Sequence, residues 1–198
     1  SIRKILNWKS FKRLIMKFIK CTLPGLIICE PKKIKDERGF FTESFRKDLF
    51  EKFSGSKVEF CQENLSESKH GVLRGLHFQK EPYAQSKLVS VQKGKILDVV
   101  VDIRKNSRFY GKYFSIELDD ISNKQLFVPK GFAHGFVVLS KSARVSYKVD
   151  NYYNPISEEG LNYSDPQLDI DWKINKKDII INEKDRSYSD FNSNDFFQ

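Results

Sequence analysis

The sequence predicts a mainly β domain, an antiparallel sandwich or barrel with few short helices. At 198 residues the chain has the length of one domain, and its 39% hydrophobic and 14% aromatic residues supply enough apolar side chains for a core. From Leu23 onward, short apolar or alternating runs follow one another with turn-forming residues between them. Almost no helical periodicity separates these runs, which argues against a parallel α/β fold and favours antiparallel pairing.

The predicted strands are short runs of alternating or continuously apolar residues, many of them β-branched or aromatic. They cover residues 26–29, 40–45, 58–62, 72–78, 87–92, 95–102, 113–118, 125–128, 133–139 and 143–149. Only residues 46–53 show a helical pattern in this part of the chain. The tail from Asn175 is polar, and we expect it to be irregular.

Residues 1–22 differ from the rest and predict a basic amphipathic extension in front of a domain at residues 23–198. The first 20 residues hold seven Lys and Arg and no acid, which leaves +2 of the net charge of +9 for the other 178 residues. Apolar residues from Ile2 to Phe18 recur near helical spacing. We expect this helix to pack on a partner chain or to be an appendage, and contact of residues 1–20 with a membrane surface is the weaker alternative. Because the charge is concentrated here, we expect no nucleic-acid partner.

Cysteine usage indicates a reducing compartment. Cys21, Cys29 and Cys61 form no CxxC pair, and their odd number argues against a disulfide framework or a zinc ribbon. No run of eighteen apolar residues and no cleavable signal pattern is evident. The expected location is therefore the cytoplasm.

The run GVLRGLHFQ, residues 71–79, places an arginine and a histidine inside an otherwise buried strand. Arg74 and His77 are three residues apart, so a regular strand would point them to opposite faces unless a bulge intervenes. A hydrogen-bonded core histidine is the alternative interpretation of His77 on its own.

A second histidine occurs in VPKGFAHGF, residues 128–136. Its PxGxxH pattern resembles the second motif of the cupin jelly-roll, in which the histidine points into the barrel. A metal-binding cupin also needs an HxH motif with a following glutamate, because a divalent ion takes three or four ligands. The corresponding run here is LHFQ, so we expect no metal.

Five longer runs in order resemble one enzyme family. They are DERGFFTESF (36–45), QENLSESKHGVLRGLHFQ (62–79), KLVSVQKGKILDVVVDIR (87–104), FVPKGFAHGFVVLS (127–140) and YKVDNYYNP (147–155). Over residues 23–185 the chain resembles the dTDP-4-dehydrorhamnose 3,5-epimerase family.

The resemblance implies a cofactor-free, cupin-type jelly-roll that works as a homodimer on dTDP-4-keto-6-deoxy-D-glucose in dTDP-L-rhamnose synthesis. Two alternatives remain open. One is a relative that inverts a single carbon or shifts the ketone of another 4-keto nucleotide sugar. The other is a non-catalytic sugar-binding cupin, although simple binding needs neither a base nor an acid.

The resemblance also implies four catalytic residues. His77 is the base that removes a proton beside the ketone, and Asp185 orients it. Lys87 stabilises the enolate oxygen, and Tyr147 is the acid that delivers a proton on the opposite face. From the sequence alone, an edge-strand lysine is the commoner interpretation of Lys87, and a buried tyrosine tethered by one hydrogen bond is the commoner interpretation of Tyr147.

The remaining implied site residues bind substrate. Arg74 and Arg38 contact the diphosphate, and Tyr153 stacks on thymine. His134 supports the sugar or the surroundings of the base, and a structural role is the alternative. Additional contacts come from Gln62, Asn64, Phe41 and Glu43. Three of these residues, Arg38, Phe41 and Glu43, belong to an early strand that in the family reaches into the neighbouring subunit's site.

Overall fold

The computed structural model describes residues 15–191, which contain thirteen β-strands, two short α-helices and one 3-10 turn. The strands are β1 (Met16–Lys20), β2 (Ile27–Pro31), β3 (Ile34–Asp36), β4 (Gly39–Phe41), β5 (Gln62–Lys69), β6 (Leu73–Gln79), β7 (Lys87–Lys93), β8 (Lys95–Asp102), β9 (Tyr113–Asp119), β10 (Gln125–Val128), β11 (Phe132–Val138), β12 (Ser142–Val149) and β13 (Glu158–Gly160). The helices are α1 (Lys47–Ser54) and α2 (Glu183–Arg186), and the 3-10 turn is Lys176–Asp178.

Two antiparallel sheets form the body of the described chain. One has the strand order β1-β2-β10-β7-β12-β5, and the other has the order β13-β6-β11-β8-β9. Successive strands from β10 to β12 alternate between the sheets, while β3 and β4 pair only with each other as a separate hairpin. The predicted class, a mainly β cupin-type jelly-roll, is confirmed.

The core between the sheets follows from the alternation of each strand. From the six-stranded sheet, Val89, Leu126 and Val145 point inward, and Ile96 and Val100 meet them from β8. Their side chains are almost completely buried. Because side chains of a strand alternate between faces, the neighbours of these residues form a second buried layer outside each sheet.

The C-terminal chain covers the outer face of the five-stranded sheet. Leu97, Val99 and Val101 of β8 pack there against Leu168 and Trp172. This double burial explains why β8 reads as a nearly continuous apolar run rather than an alternating one.

The tail then returns to the sheet edge at β6. The Leu73 N–H donates to the Ile180 carbonyl, and the Ile180 N–H donates to the Gly71 carbonyl, each at 2.8 Å. The tail is irregular, as predicted, except for the 3-10 turn and α2. These bonds carry α2 alongside β6, next to the functional site.

The outer face of the six-stranded sheet is partly covered by α1. Phe50 of this helix is fully buried, and its ring lies 4.7 Å from the ring of Phe127. The predicted helix at residues 46–53 therefore agrees with α1 to within one residue at each end.

The predicted N-terminal helix is wrong for residues 16–20, which form β1. β1 pairs with β2 along its whole length, and Phe18 stacks on Phe53 with 5.3 Å between ring centroids. An open sheet edge gives this segment backbone partners, which outweigh a helical pattern of apolar residues. The sheet thus begins before residue 23, the predicted domain start, and residues 1–14 of the extension lie outside the described residues.

Two further strand predictions need correction, and two strands were missed. Residues 58–61 of the strand predicted at 58–62 are not in a strand. β5 starts at Gln62, and its polar sequence QENLSESK pairs through its backbone with β12. The strand predicted at residues 40–45 is limited to β4. Strands β3 and β13 have no apolar run and were not predicted. No helix among the described residues is long and apolar enough to cross a membrane.

Candidate active site

Two adjoining cavities of about 270 and 190 Å³ open between the sheets, and they share His77, Lys87, Tyr147, Tyr153 and Glu158. The five-stranded sheet supplies one wall through β6 and β11, and the six-stranded sheet supplies the other through β7 and β12. The other polar residues lining them are Gln62, Asn64, Ser66, Arg74, Gln79, Gln85, His134, Asn182, Lys184 and Asp185.

Arg74 and His77 line the same cavity because β6 contains an irregularity between them. Leu73 and Leu76 both pack in the outer core, although they are three residues apart. The pairing of β6 with β11 shifts register at the same place. The bulge that the sequence analysis named as a condition is therefore present. It places the side chains of Arg74 and His77 on the same wall of the cavity.

Gly75 allows β6 to form this irregularity in close contact with β11. Its φ is +123°, and a Cβ built on it would lie 2.5 Å from the Cα of Gly135 and 2.8 Å from the carbonyl oxygen of His134. Only glycine combines that backbone conformation with so close an approach of β11.

His77 is held by Asp185 of α2. The ring Nε2 donates to Oδ1 of Asp185 at 2.8 Å, and the Gly75 N–H donates to Oδ2 at 3.1 Å. A carboxylate only accepts, so Nε2 carries the proton and Nδ1 is left as the basic nitrogen.

The Asp185 carboxyl is ionised in this setting. Its side chain is 2% exposed, and burial alone would raise its pKa, but the hydrogen bond and charge of His77 outweigh burial and leave the pKa below its usual value. The Asp185 N–H donates to the side chain of Asn182, which caps α2 and fixes the position of the carboxylate.

Lys87 places an ammonium in the cavity from the opposite sheet. It is 9% exposed, and burial lowers its pKa to about 8, while the charges of Glu158 and Asp98 act in the other direction. Its Nζ makes no hydrogen bond to any other residue of the range 15–191, so it is free to meet a ligand oxygen.

Tyr147 faces the cavity from β12, next to Asn64 of β5 and Val89 of β7. Burial raises the pKa of its phenol; the charge of Arg74 lowers it and that of Glu158 raises it further. Tyr147 and His77 belong to opposite sheets and line the same cavity from its two walls.

His134 is paired with Asp98 inside the barrel wall. Its Nε2 lies 2.9 and 3.0 Å from the two carboxylate oxygens. His134 thus lines the cavity, as predicted, while Asp98 was not identified from the sequence.

Two charged residues that line the cavity were also missed. Glu158 and Lys184 form an ion pair, and the Tyr153 hydroxyl donates to Glu158 at 2.9 Å. Burial raises the pKa of Glu158, but the hydrogen bonds from Lys184 and Tyr153 bring it below the usual value. Lys184 precedes Asp185 in the sequence, which was the only signal available for it, and Glu158 lies in no motif.

The predicted binding residues fall into two groups. Gln62 and Asn64 line the cavity and are joined by a hydrogen bond of 2.8 Å, and Tyr153, beside them, is half exposed. Arg74 lines the larger cavity and donates to Ser68 at 3.1 Å.

The second group lies on or beside the β3–β4 hairpin and does not line the cavity of its own chain. Arg38 is paired with Asp36, Glu43 lies 3.2 Å from Arg46, and Phe41 is 65% exposed. Their predicted role in a neighbouring subunit's site stays a prediction.

Within residues 15–191, no three His, Cys, Asp or Glu side chains are grouped so that they could hold a metal ion.

Comparison with known proteins identifies one family. A sequence model of the dTDP-4-dehydrorhamnose 3,5-epimerase family matches residues 20–193. The chain is 46% identical over 182 residues to the dTDP-4-dehydrorhamnose 3,5-epimerase of Shigella flexneri, covering 92% of this chain and 99% of the relative.

Two crystal structures show the same fold. The dTDP-4-dehydrorhamnose 3,5-epimerase of Elizabethkingia anophelis superposes with a TM-score of 0.86 at 48% identity, covering 89% of this chain and 96% of that one. A 3,5-epimerase of Legionella pneumophila in complex with dTDP-4-keto-L-rhamnose has a TM-score of 0.85 at 44% identity, covering 88% and 92%. This chain belongs to the dTDP-4-dehydrorhamnose 3,5-epimerase family.

Proposed function

We propose that this protein inverts carbons 3 and 5 of dTDP-4-keto-6-deoxy-D-glucose to give dTDP-4-keto-L-rhamnose. The observation that carries the proposal is the arrangement of one cavity: a His77–Asp185 pair on one wall, and a buried ammonium and phenol on the other. The Legionella pneumophila relative with dTDP-4-keto-L-rhamnose bound supports the choice of substrate.

The first step is removal of a proton beside the ketone. Nδ1 of His77 accepts it, and the Asp185 carboxylate stabilises the imidazolium that forms. Negative charge moves to the ketone oxygen as the enolate develops. Lys87 meets that oxygen with an ammonium in a poorly hydrated cavity, where its charge is worth more than in water.

The second step returns a proton to the other face of the same carbon. Tyr147 stands on the opposite wall, and its raised pKa keeps the phenol protonated at neutral pH, ready to donate. One base and one acid on opposite sides account for inversion at one carbon. His77 then gives its proton to solvent and Tyr147 takes one up, so the same pair can act on the other carbon adjacent to the ketone.

The nucleotide is held at the mouth of the cavity in this proposal. Arg74 and Lys184 contact the diphosphate, and the exposed ring of Tyr153 stacks on thymine. The protein works as a homodimer in which Arg38 and Phe41, on an exposed hairpin, complete the partner's site.

Incubation with dTDP-4-keto-6-deoxy-D-glucose in deuterium oxide tests the proposal. Proton NMR should show deuterium entering at carbons 3 and 5, with couplings that report inversion at both. Exchange and inversion at a single carbon would identify a one-carbon epimerase instead. No exchange at either carbon, with binding retained, would identify a sugar-binding protein and overturn the proposal.

A further inference from the structure

Gln79, the last residue of β6, is a buried amide at the rim of the cavity. It follows His77 by two residues, so both side chains project from the same face of the strand. Gln79 is 4% exposed and lines the smaller of the two cavities. The proposed chemistry uses His77 and leaves this amide without a role.

Both ends of the Gln79 amide bind backbone groups of the two segments that form the rim. Nε2 donates to the carbonyl of Tyr83 at 2.6 Å and to the carbonyl of Tyr152 at 3.2 Å. Oε1 accepts from the N–H of Asn154 at 2.7 Å. A carbonyl only accepts and a backbone N–H only donates, so these partners fix the orientation of the amide. One side chain thereby joins β6 to residues 80–86 and to residues 150–157.

Two of these bonds lie on either side of Tyr153. Gln79 holds the backbone of the preceding residue, Tyr152, and of the following residue, Asn154. The N–H of Tyr153 itself donates to Oε1 of Gln62 at 3.1 Å. The Tyr153 side chain nevertheless remains 51% exposed. The backbone at Tyr153 is therefore fixed while its ring stays accessible to a ligand.

Other bonds between the two rim segments do not replace those of Gln79. The Asn151 side chain donates to the Pro82 carbonyl at 2.9 Å, and the Gln85 side chain donates to the Asn151 carbonyl at 2.8 Å. Both bonds end at residue 151, and neither reaches residues 152–154. The amide of Gln79 is thus the side-chain link from β6 to the backbone around Tyr153.

We propose that Gln79 is a positioning residue for the nucleotide: its amide holds residues 152–154 so that the ring of Tyr153 is in place before the base arrives. The inference rests on the proposed function, in which Tyr153 stacks on thymine. Gln79 acts through the backbone on either side of Tyr153 and not on the reacting carbons. A binding surface that is already ordered does not have to be ordered by the ligand, and this preserves affinity.

The test compares wild type with Gln79→Met in dTDP binding and in kinetics. Methionine has a similar length, but it offers no strong donor or acceptor to the three backbone groups. The Kd for dTDP, measured by isothermal titration calorimetry, should rise about tenfold, since binding must now order the segment and the Tyr153 ring. KM for the sugar nucleotide should rise by a similar factor while kcat changes by less than about threefold, because the groups at the reacting carbons keep their places.

Two controls separate positioning of the base from a general loss of structure. Inorganic pyrophosphate carries the charges of the diphosphate without a base, so wild type and Gln79→Met should bind it with equal affinity. Gln125→Met removes another glutamine that is 4% exposed, from β10, whose Oε1 has no hydrogen-bond partner within the described part of the chain. Its Kd for dTDP should stay at the wild-type value.

An unchanged Kd for dTDP in Gln79→Met would overturn the inference, as would equal losses of dTDP and pyrophosphate affinity. A fall in kcat without a rise in KM, or a tenfold loss of dTDP affinity in Gln125→Met, would also contradict it. If Gln79→Met does not fold, Gln79→Asn provides the test: it keeps an amide, but it is one methylene too short to reach all three partners. Wild-type affinity for dTDP in that variant would count against positioning by Gln79. Wild-type protein that binds dTDP but shows no deuterium exchange would refute the proposed epimerisation alone.

Discussion

The two walls of the cavity prepare their functional groups in different ways. On the wall formed by β6 and β11, each histidine has a buried carboxylate at Nε2: Asp185 for His77 and Asp98 for His134. On the wall formed by β7 and β12, neither Lys87 nor Tyr147 has a hydrogen-bond partner among the described side chains.

The pKa directions follow this difference. Hydrogen bonding and charge outweigh burial at Asp185 and keep its pKa low, whereas burial dominates at Lys87 and Tyr147 and shifts both pKa values toward the neutral form. One wall is therefore prepared by ion pairing and the other by removal of water. We call the wall of β6 and β11 the base wall and the wall of β7 and β12 the acid wall. Loss of the basic nitrogen of His77 should abolish the reaction, and loss of the phenol of Tyr147 should reduce inversion only in part.

Replacement of His77 by asparagine should have the largest effect. Asparagine keeps a polar side chain but cannot accept the proton, so deuterium exchange and inversion should disappear together. Proton NMR of the hydrogens beside the ketone, recorded in deuterium oxide, measures both. Rapid exchange in this variant would mean that the base is another residue, and retained dTDP binding serves as the control for folding.

Replacement of Tyr147 by phenylalanine should separate exchange from inversion. His77 can still form the enolate with help from Lys87 and return a solvent-derived proton to the original face. Inversion should fall by about 10²- to 10⁴-fold, the usual cost of losing a general acid, while exchange persists. Inversion at the wild-type rate would remove Tyr147 from the acid's role and with it the functional difference between the walls.

The sequence alone predicted the strands that carry some residues of the site, but it did not predict every contact within the site. His77, Lys87 and Tyr147 lie on strands whose apolar patterns are clear, so the strands could be inferred, while the roles of the three residues came from the family resemblance. Asp185 is 108 residues from His77 on a four-residue helix, and only the family resemblance connected them.

Other features of the structure could not be predicted because they depend on contacts between residues that are distant in the sequence. Asp98 lies in a run of apolar residues, where its purpose depends on His134 from another strand. β1 carries apolar residues that fit a helix as well as a strand, and the open edge of β2 decides between them. The bulge in β6 was foreseen only as a condition, since it depends on the approach of Gly135 to Gly75.

A Gly75→Ala change should disturb the base wall through its backbone. Its Cβ would lie 2.5 Å from the Cα of Gly135, and alanine is strained at φ +123°, so we expect destabilisation by about 3 kcal/mol in urea unfolding. Gly39→Ala is the control, because Gly39 has the same φ but nothing within 4 Å of its Cβ position. Equal losses in both variants would attribute the effect to φ alone and not to the contact between β6 and β11.

Prolonged treatment with a strong chelator should leave the rate of the reaction unchanged. The two histidines of the base wall each direct Nε2 at a carboxylate rather than at a shared point, and the described residues contain no group of three ligands suited to a metal. A catalytic zinc ion takes three protein ligands, so the wall is built for hydrogen bonding and not for coordination of zinc. The measurement is the initial rate of deuterium incorporation before and after dialysis against the chelator, with metal content determined in parallel. Loss of activity that added zinc or iron restores would show that the histidines bind metal, and the contrast between an ion-paired wall and a desolvated wall would then have to be abandoned.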